Sequence, residues 1–234
     1  QQFFFKRARA YPEQAKERIL NMVKEELPED IVNKHFTPSY NPWDQRICLI
    51  PNSDFFESIK AKTSSVVTDH IEKFEEKGIR LKSGNFLPAD LIVTATGLIL
   101  ESFGGVKMSV DNKPIEASDT YTYRSLMYSG IPNLVSCFGY INASWTLKAD
   151  LTSEYVCRLI KHMKKNDFEV VCPQFEVDIE ESDDFLNGFS SGYIKRAADS
   201  QPKQGKEKPW INLQDYFKDW ICLLYTSPSP RDLP

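Results

Sequence analysis

Three places in this chain hold residue types that could do chemistry. The first is Arg46, in the run Trp43-Asp44-Gln45-Arg46. A guanidinium stays protonated in a protein and offers a fork of donors, so an arginine fixed in a dry cleft can hold developing oxyanion charge. An arginine in a loop is ordinarily solvated surface, and from these residues alone that reading of Arg46 is favoured. The second place is Gly139-Tyr140-Ile141-Asn142-Ala143-Ser144-Trp145, between the apolar run Leu134 to Phe138 and a helical pattern. In open α/β sheets ligands sit beyond the carboxyl ends of strands, where a glycine admits close approach and a helix N-terminus supplies positive potential. Gly139 and Asn142 hold that place, which would suit an electron-rich ring that becomes anionic on reduction. A glycine that merely ends a strand is the alternative, and from these residues alone it is favoured. The third place is Asp90 to Leu98, DLIVTATGL, which runs from a charge through apolar and β-branched residues into small ones and a glycine. It reads as a buried strand whose end something must approach closely.

These residues need elements to hold them. Tyr11 to Leu27 carries Ile19, Leu20, Val23 and Leu27 at helical spacing, with Pro12 where a missing N–H does no harm. Proline and aromatic residues crowd Phe36 to Trp43, which predicts an ordered loop with bulky anchors just before Arg46. Ser53-Asp54 reads as the N-cap of a short helix, and Ser65 to Asp69 (SVVTD) as a strand. From Ile71 to Gly97 the pattern is an antiparallel meander with turns at Lys77-Gly78 and Ser83-Gly84-Asn85. Asp111-Asn112 predicts a further hairpin turn. A strand over Leu134 to Phe138, the glycine loop, and a helix from Thr146 to about Lys165 follow, with Leu147, Leu151, Tyr155, Leu159, Ile160 and Met163 on its buried side. Strand, glycine loop and helix in that order point to an α/β fold.

Composition excludes several classes of function. A net charge of -4 from 29 basic and 33 acidic side chains offers no basic excess for nucleic acid. The 5 cysteines contain no CxxC pair and lie far from the 3 histidines, which suggests neither a disulfide framework nor a metal site and fits a reducing, cytoplasmic setting. The longest apolar run, Leu91 to Leu100, is about half the roughly 20 residues of a membrane-spanning helix. The acidic run Asp178 to Asp184 has no glycine-turned loop to frame a cation and reads as solvated surface.

As a whole the chain resembles a known family. DLIVTATGL is similar to the ATG signature of flavin-containing and Baeyer–Villiger monooxygenases, the class B flavoprotein monooxygenases. HFTPSYNPWDQR, FGYINASWTLKADL and SSGYIKRAADSQPKQGKEKPW resemble their bacterial, ethionamide-activating branch. The resemblance implies an enzyme that reduces FAD with NADPH, captures O2 as a flavin C4a-peroxide and passes one oxygen atom to a ketone, thioether or amine. It places Arg46 as the active-site arginine, and Gly139, Tyr140, Asn142 and Ser144 as flavin neighbours. Trp145 falls as a wall of the substrate pocket, although core packing suits it equally. Asp90, Thr94, Ala95, Thr96 and Gly97 form the linker strand between the two dinucleotide-binding domains.

The family's two GxGxxG fingerprints and its His-containing motif are not found in these residues. The expectation is a C-terminal fragment: residues 1–89 from the NADPH domain with a helical insertion and the meander, and 90–221 from the linker strand and the FAD domain. Cys222 to Asp232, CLLYTSPSPRD, resembles a translated sequencing adapter, so 222–234 is set aside as an artefact, with a Ser/Pro-rich tail as the alternative. On this reading the fragment alone neither holds either cofactor tightly nor turns over. A flavin-dependent disulfide reductase and a non-catalytic truncated module are the competing classes.

Overall fold

The computed structural model describes residues 2–48, 50–175, 180–182 and 190–225, with the side chains of 224 and 225 excepted. In chain order its helices are α1 (Gln2–Ala10), α2 (Pro12–Glu26), α3 (Glu29–His35), α4 (Asp54–Lys60), α5 (Trp145–Lys165), α6 (Gly192–Ala197) and α7 (Tyr216–Tyr225). The strands are β1 (Ile71–Glu75), β2 (Gly78–Leu81), β3 (Phe86–Pro88), β4 (Met108–Val110), β5 (Lys113–Ile115), β6 (Thr122–Tyr123), β7 (Met127–Tyr128), β8 (Glu181–Ser182) and β9 (Gln204–Gly205). Their ladders, β1-β2-β3, β4-β5, β6-β7 and β8-β9, are all antiparallel. The chain divides into two compact units, Lys6–Leu98 and Ile99–Pro234, the latter joined by Gln1–Phe5.

In the unit Lys6–Leu98, Pro12 opens α2, where its fixed φ suits the first turn. Leu27 and Val32 are buried where α2 passes into α3. The Lys60 ammonium bridges Glu26 and Glu57, each at 2.7 Å, and pulls the Glu26 carboxyl below its usual range. Ser53 does not cap α4 as its type suggests. It adopts a left-handed conformation after a 3-10 turn and donates its hydroxyl to Glu26 at 2.8 Å, so a side chain outside the helix takes the bond a cap would have given. The three-stranded part of the meander forms with each turn one residue earlier than expected, the first at Glu76-Lys77 with Gly78 already in β2, and Ile79 of β2 lies between Phe74 of β1 and Leu87 of β3.

The other unit is built around α5. Tyr123, Leu126, Met127, Leu151, Tyr155, Leu159, Val171, Trp210 and Leu223 form one buried cluster, joining the β6-β7 hairpin, α5, α7 and the Trp210 segment. Both ends of α7 are tied down. The Asp215 carboxylate accepts the N–H groups of Phe217 (3.1 Å) and Lys218 (3.3 Å), as an N-cap should. At the other end Arg124 donates to the Cys222 carbonyl (3.1 Å) and Arg158 to that of Leu223, placing cations at the negative pole of the helix. The helix thus runs through Tyr225, four residues past Ile221, with Leu223 only 1% exposed. Residues 226–234 lie outside the described residues, as does most of the acidic run 178–184, of which 180–182 are described.

Three expected strands do not form. Ser65–Asp69, Leu91–Leu98 and Leu134–Phe138 pair with no strand among the described residues. Instead of being buried, Leu91, Val93 and Leu98 are exposed at 81%, 81% and 64%. The reason is physical: consecutive apolar residues suit a strand covered on both faces in a sheet, and a strand exists only where neighbours accept its hydrogen bonds. No parallel ladder occurs among the described residues, so the mixed α and β content is present without a dinucleotide-binding sheet. Ile160, expected on the buried side of α5, is 47% exposed.

Candidate functional site

The turn that leads into α5 is the most constrained of the predicted site segments. Phe138 and Trp145 stand at its two ends with ring centroids 5.4 Å apart, and both are partly exposed. Between them Gly139 is buried beneath the Trp145 indole. A Cβ at Gly139 would lie 2.6 Å from Trp145 Cδ1 and nearer still to Cγ and Cδ2. The space that a glycine opens is therefore filled by the chain's own tryptophan. Phe138 also lines a cavity of about 240 Å³, together with Phe103, Tyr128, Ser136, Cys137 and Gln201. Burial pushes the Tyr128 phenol upward, and its hydroxyl pairs with that of Ser136.

The polar side chains of the turn look inward. Asn142, 2% exposed, donates to the Gln214 carbonyl at 2.9 Å and accepts from Gln2 Nε2 at 3.1 Å. The Ile141 N–H donates to Gln214 Oε1 at 2.9 Å. The Tyr140 hydroxyl donates to Asp219 Oδ2 at 2.8 Å, and the same oxygen receives Lys148 Nζ at 2.8 Å. Loss of water around the Tyr140 phenol, followed by the nearby Asp219 charge, raises its pKa well above the usual value. Ser144 precedes the first turn of α5 but shares its hydroxyl with Thr146 Oγ1 (2.7 Å), so no side chain caps that helix. The first turn of this 21-residue helix also holds no acidic residue. Its leading N–H groups are left as donors at the positive end of the helix dipole.

Arg46 lies in the other unit. The Asp44 carboxylate accepts the Asn41 N–H at 3.0 Å and pairs with Arg9 at 2.5 Å, which pins the proline-rich loop just before it. Arg46 itself is exposed, with no ion pair or hydrogen bond among the described residues, and edges a cavity of about 160 Å³ lined by Ile19, Leu20, Phe36, Tyr40 and Pro42. The dry cleft expected around it is not formed by the described residues of its unit. Gly139, Tyr140, Asn142, Ser144 and Trp145 form one turn. Asp90, Thr94, Ala95, Thr96 and Gly97 are exposed on the unpaired segment, where Gly97 takes φ 107°, a conformation that favours glycine.

Sequence reasoning missed Lys148, Gln214, Asp215 and Asp219. One signal for Lys148 was present: it stands three residues before Leu151 and seven before Tyr155, on the stripe that α5 buries. Asp219 had none, because its partners are 71 and 79 positions away.

Comparison with known proteins bears on what this turn serves. A probable FAD-binding monooxygenase, AlmA, of Acinetobacter sp is 46% identical over 212 residues, which cover 91% of this chain and 43% of that protein. The FAD-containing monooxygenase EthA of Mycolicibacterium smegmatis is 46% identical over 227 residues, 97% of this chain and 46% of its own length. The putative FAD-containing monooxygenase MymA of Mycobacterium tuberculosis is 40% identical over 96% of this chain and 45% of its own. No protein-family model and no solved structure matches the chain. The chain spans less than half the length of these curated relatives.

Proposed function

The chain is a homologue of the FAD-containing monooxygenases, and from that kinship we propose that it forms part of an FAD- and NADPH-dependent enzyme. This enzyme inserts one atom of O2 into a ketone, or adds it to a soft sulfur or nitrogen centre. The observation that carries the reading within this chain is the turn from Gly139 to Trp145. It sets an uncapped helix N-terminus beside a partly exposed aromatic pair.

The residues fit a flavin in part. Free N–H groups at the start of α5 suit an electron-rich edge that gains negative charge, and Phe138 with Trp145 offers an apolar surface to a planar ring. The side chains of Tyr140 and Asn142 do not fit as direct ligands, because Asp219, Gln214 and Gln2 already occupy them. Their contribution would come through the backbone that those bonds fix. Gly139 would serve by admitting Trp145. When bound, FAD supplies the redox chemistry that activates O2. Arg46, whose guanidinium offers a fork of donors, would hold negative charge developing on the substrate oxygen.

The test uses a protein that carries this chain together with the remainder its relatives possess. Arg46→Ala should still take up FAD and be reduced by NADPH, yet lose ketone oxygenation. Because Arg46 is exposed and unpaired, the change should leave stability within about 0.5 kcal/mol. Ketone oxygenation retained in Arg46→Ala, or flavin reduction by NADPH lost in that variant, would refute the role.

A further inference from the structure

We propose that Asp219 is a positioning residue for the turn 139–144, and that α7 sets the conformation of that turn through this carboxylate before any ligand arrives. The identity of the ligand rests on the flavin reading above; the positioning role does not.

Four hydrogen bonds run between the segment 214–219 and the site. Asp219 receives Tyr140 and Lys148, and Gln214 receives the Ile141 N–H on its side chain and Asn142 on its carbonyl. Three consecutive residues of the turn and the first turn of α5 are thus tied to one end of one short helix. Asp215 caps that helix, which fixes where Asp219 stands. The Lys148 and Asp219 side chains are only 2% and 9% exposed. The other ionisable groups facing this cluster are Tyr216, whose ring centroid is 6.4 Å from that of Tyr140, and Asp215.

Such a network is a poor way to gain stability. Desolvating two charges cancels much of their attraction, and well-packed apolar residues often do as well. What it provides is direction. Asp219 Oδ2 has two donors converging on it from different elements, so moving the Tyr140 hydroxyl breaks a bond for which the buried phenol has no water substitute. The covering of Gly139 by Trp145 depends on the same arrangement, since Trp145 and Lys148 share the first turn of α5.

Amide hydrogen exchange on the 234-residue chain, without flavin, tests this. Asp219→Asn would leave the Lys148 charge buried without a counter-charge, so the informative variant combines Asp219→Leu with Lys148→Met, which removes both charges. Core amides of α5 from Leu151 to Leu159 should keep their protection, while residues 140–144 exchange about tenfold faster. Should that double variant fail to fold, Tyr140→Phe carries the same readout, because it deletes one bond to Asp219 and leaves the ion pair whole. Unchanged exchange in the turn would overturn the proposal, and so would an equal loss of protection in the turn and in α5. Because no flavin enters the measurement, the result is independent of whether the Arg46 experiment succeeds.

Discussion

Gly139→Ala is the sharpest probe of how the turn is built. The φ of Gly139 is not positive, so alanine could adopt the backbone without strain, and in open space it would stabilise by about 0.4–1 kcal/mol through the unfolded chain. The space is not open. The new methyl would fall within 3 Å of three indole atoms, among them Cγ, the root of the ring. A flexible tip could swing aside, but Cγ moves only if the whole side chain changes rotamer or the start of α5 shifts. Overpacking of this kind costs about 1–3 kcal/mol. Trp145 is 52% exposed, so the ring can rotate into solvent, which limits the penalty to the contact it gives up with Phe138 and Gly139. The decisive variant is the pair with Trp145→Ala. On that background Gly139→Ala should be neutral or stabilising, which makes the coupling between the sites about 1–3 kcal/mol, beyond the roughly 0.5 kcal/mol scatter of independent sites. Urea unfolding followed by far-ultraviolet circular dichroism reads all four species without relying on tryptophan emission. If Gly139→Ala is as harmful without the indole as with it, the glycine is there for some other reason, and the argument that Trp145 fills its space is wrong.

Two further outcomes follow from named groups. Burial first, and the bond to Glu181 second, push the Tyr121 phenol from 10.0 up to about 12. A raised folded value means stability that is complete below about pH 10 and is lost as pH rises through about 12, so Tyr121→Phe should flatten the alkaline limb of the stability profile. An unchanged limb, or tyrosine absorbance showing ordinary ionisation of Tyr121 in the folded chain, would contradict this. The exposed, unpaired segment 91–98 should template strand pairing between copies, so light scattering should show concentration-dependent association that Val93→Lys reduces, and a wild-type chain monomeric at every concentration would refute it.

What could be read from the sequence was what local chemistry decides. The Asp111-Asn112 turn closes β4 onto β5 with both residues at positive φ, and α5 begins one residue before its expected start. The proline-rich loop is irregular yet pinned, as its residues require. Strands fared differently according to where their partners lie. The meander pairs with itself over a few residues and forms. DLIVTATGL has the composition of a strand covered on both faces, and no strand among the described residues pairs with it. Composition reports what a segment needs, whereas pairing depends on what stands beside it.

The same distinction separates the two roles that a glycine and a lysine play at the site. A glycine between a strand-like run and a helix says only that something comes close. It cannot say whether that something is a cofactor or the chain itself, and here the nearest atoms belong to Trp145, six residues on. Lys148 carries the opposite ambiguity. Its type argues for solvent and its register for burial, and register wins because a carboxylate 71 residues away is there to receive it. Neither answer lies in the local sequence, since each is fixed by a contact that only the folded unit brings about. A site built this way is set by the elements behind it as much as by the residues that face the ligand, and α7 is the element on which this turn depends.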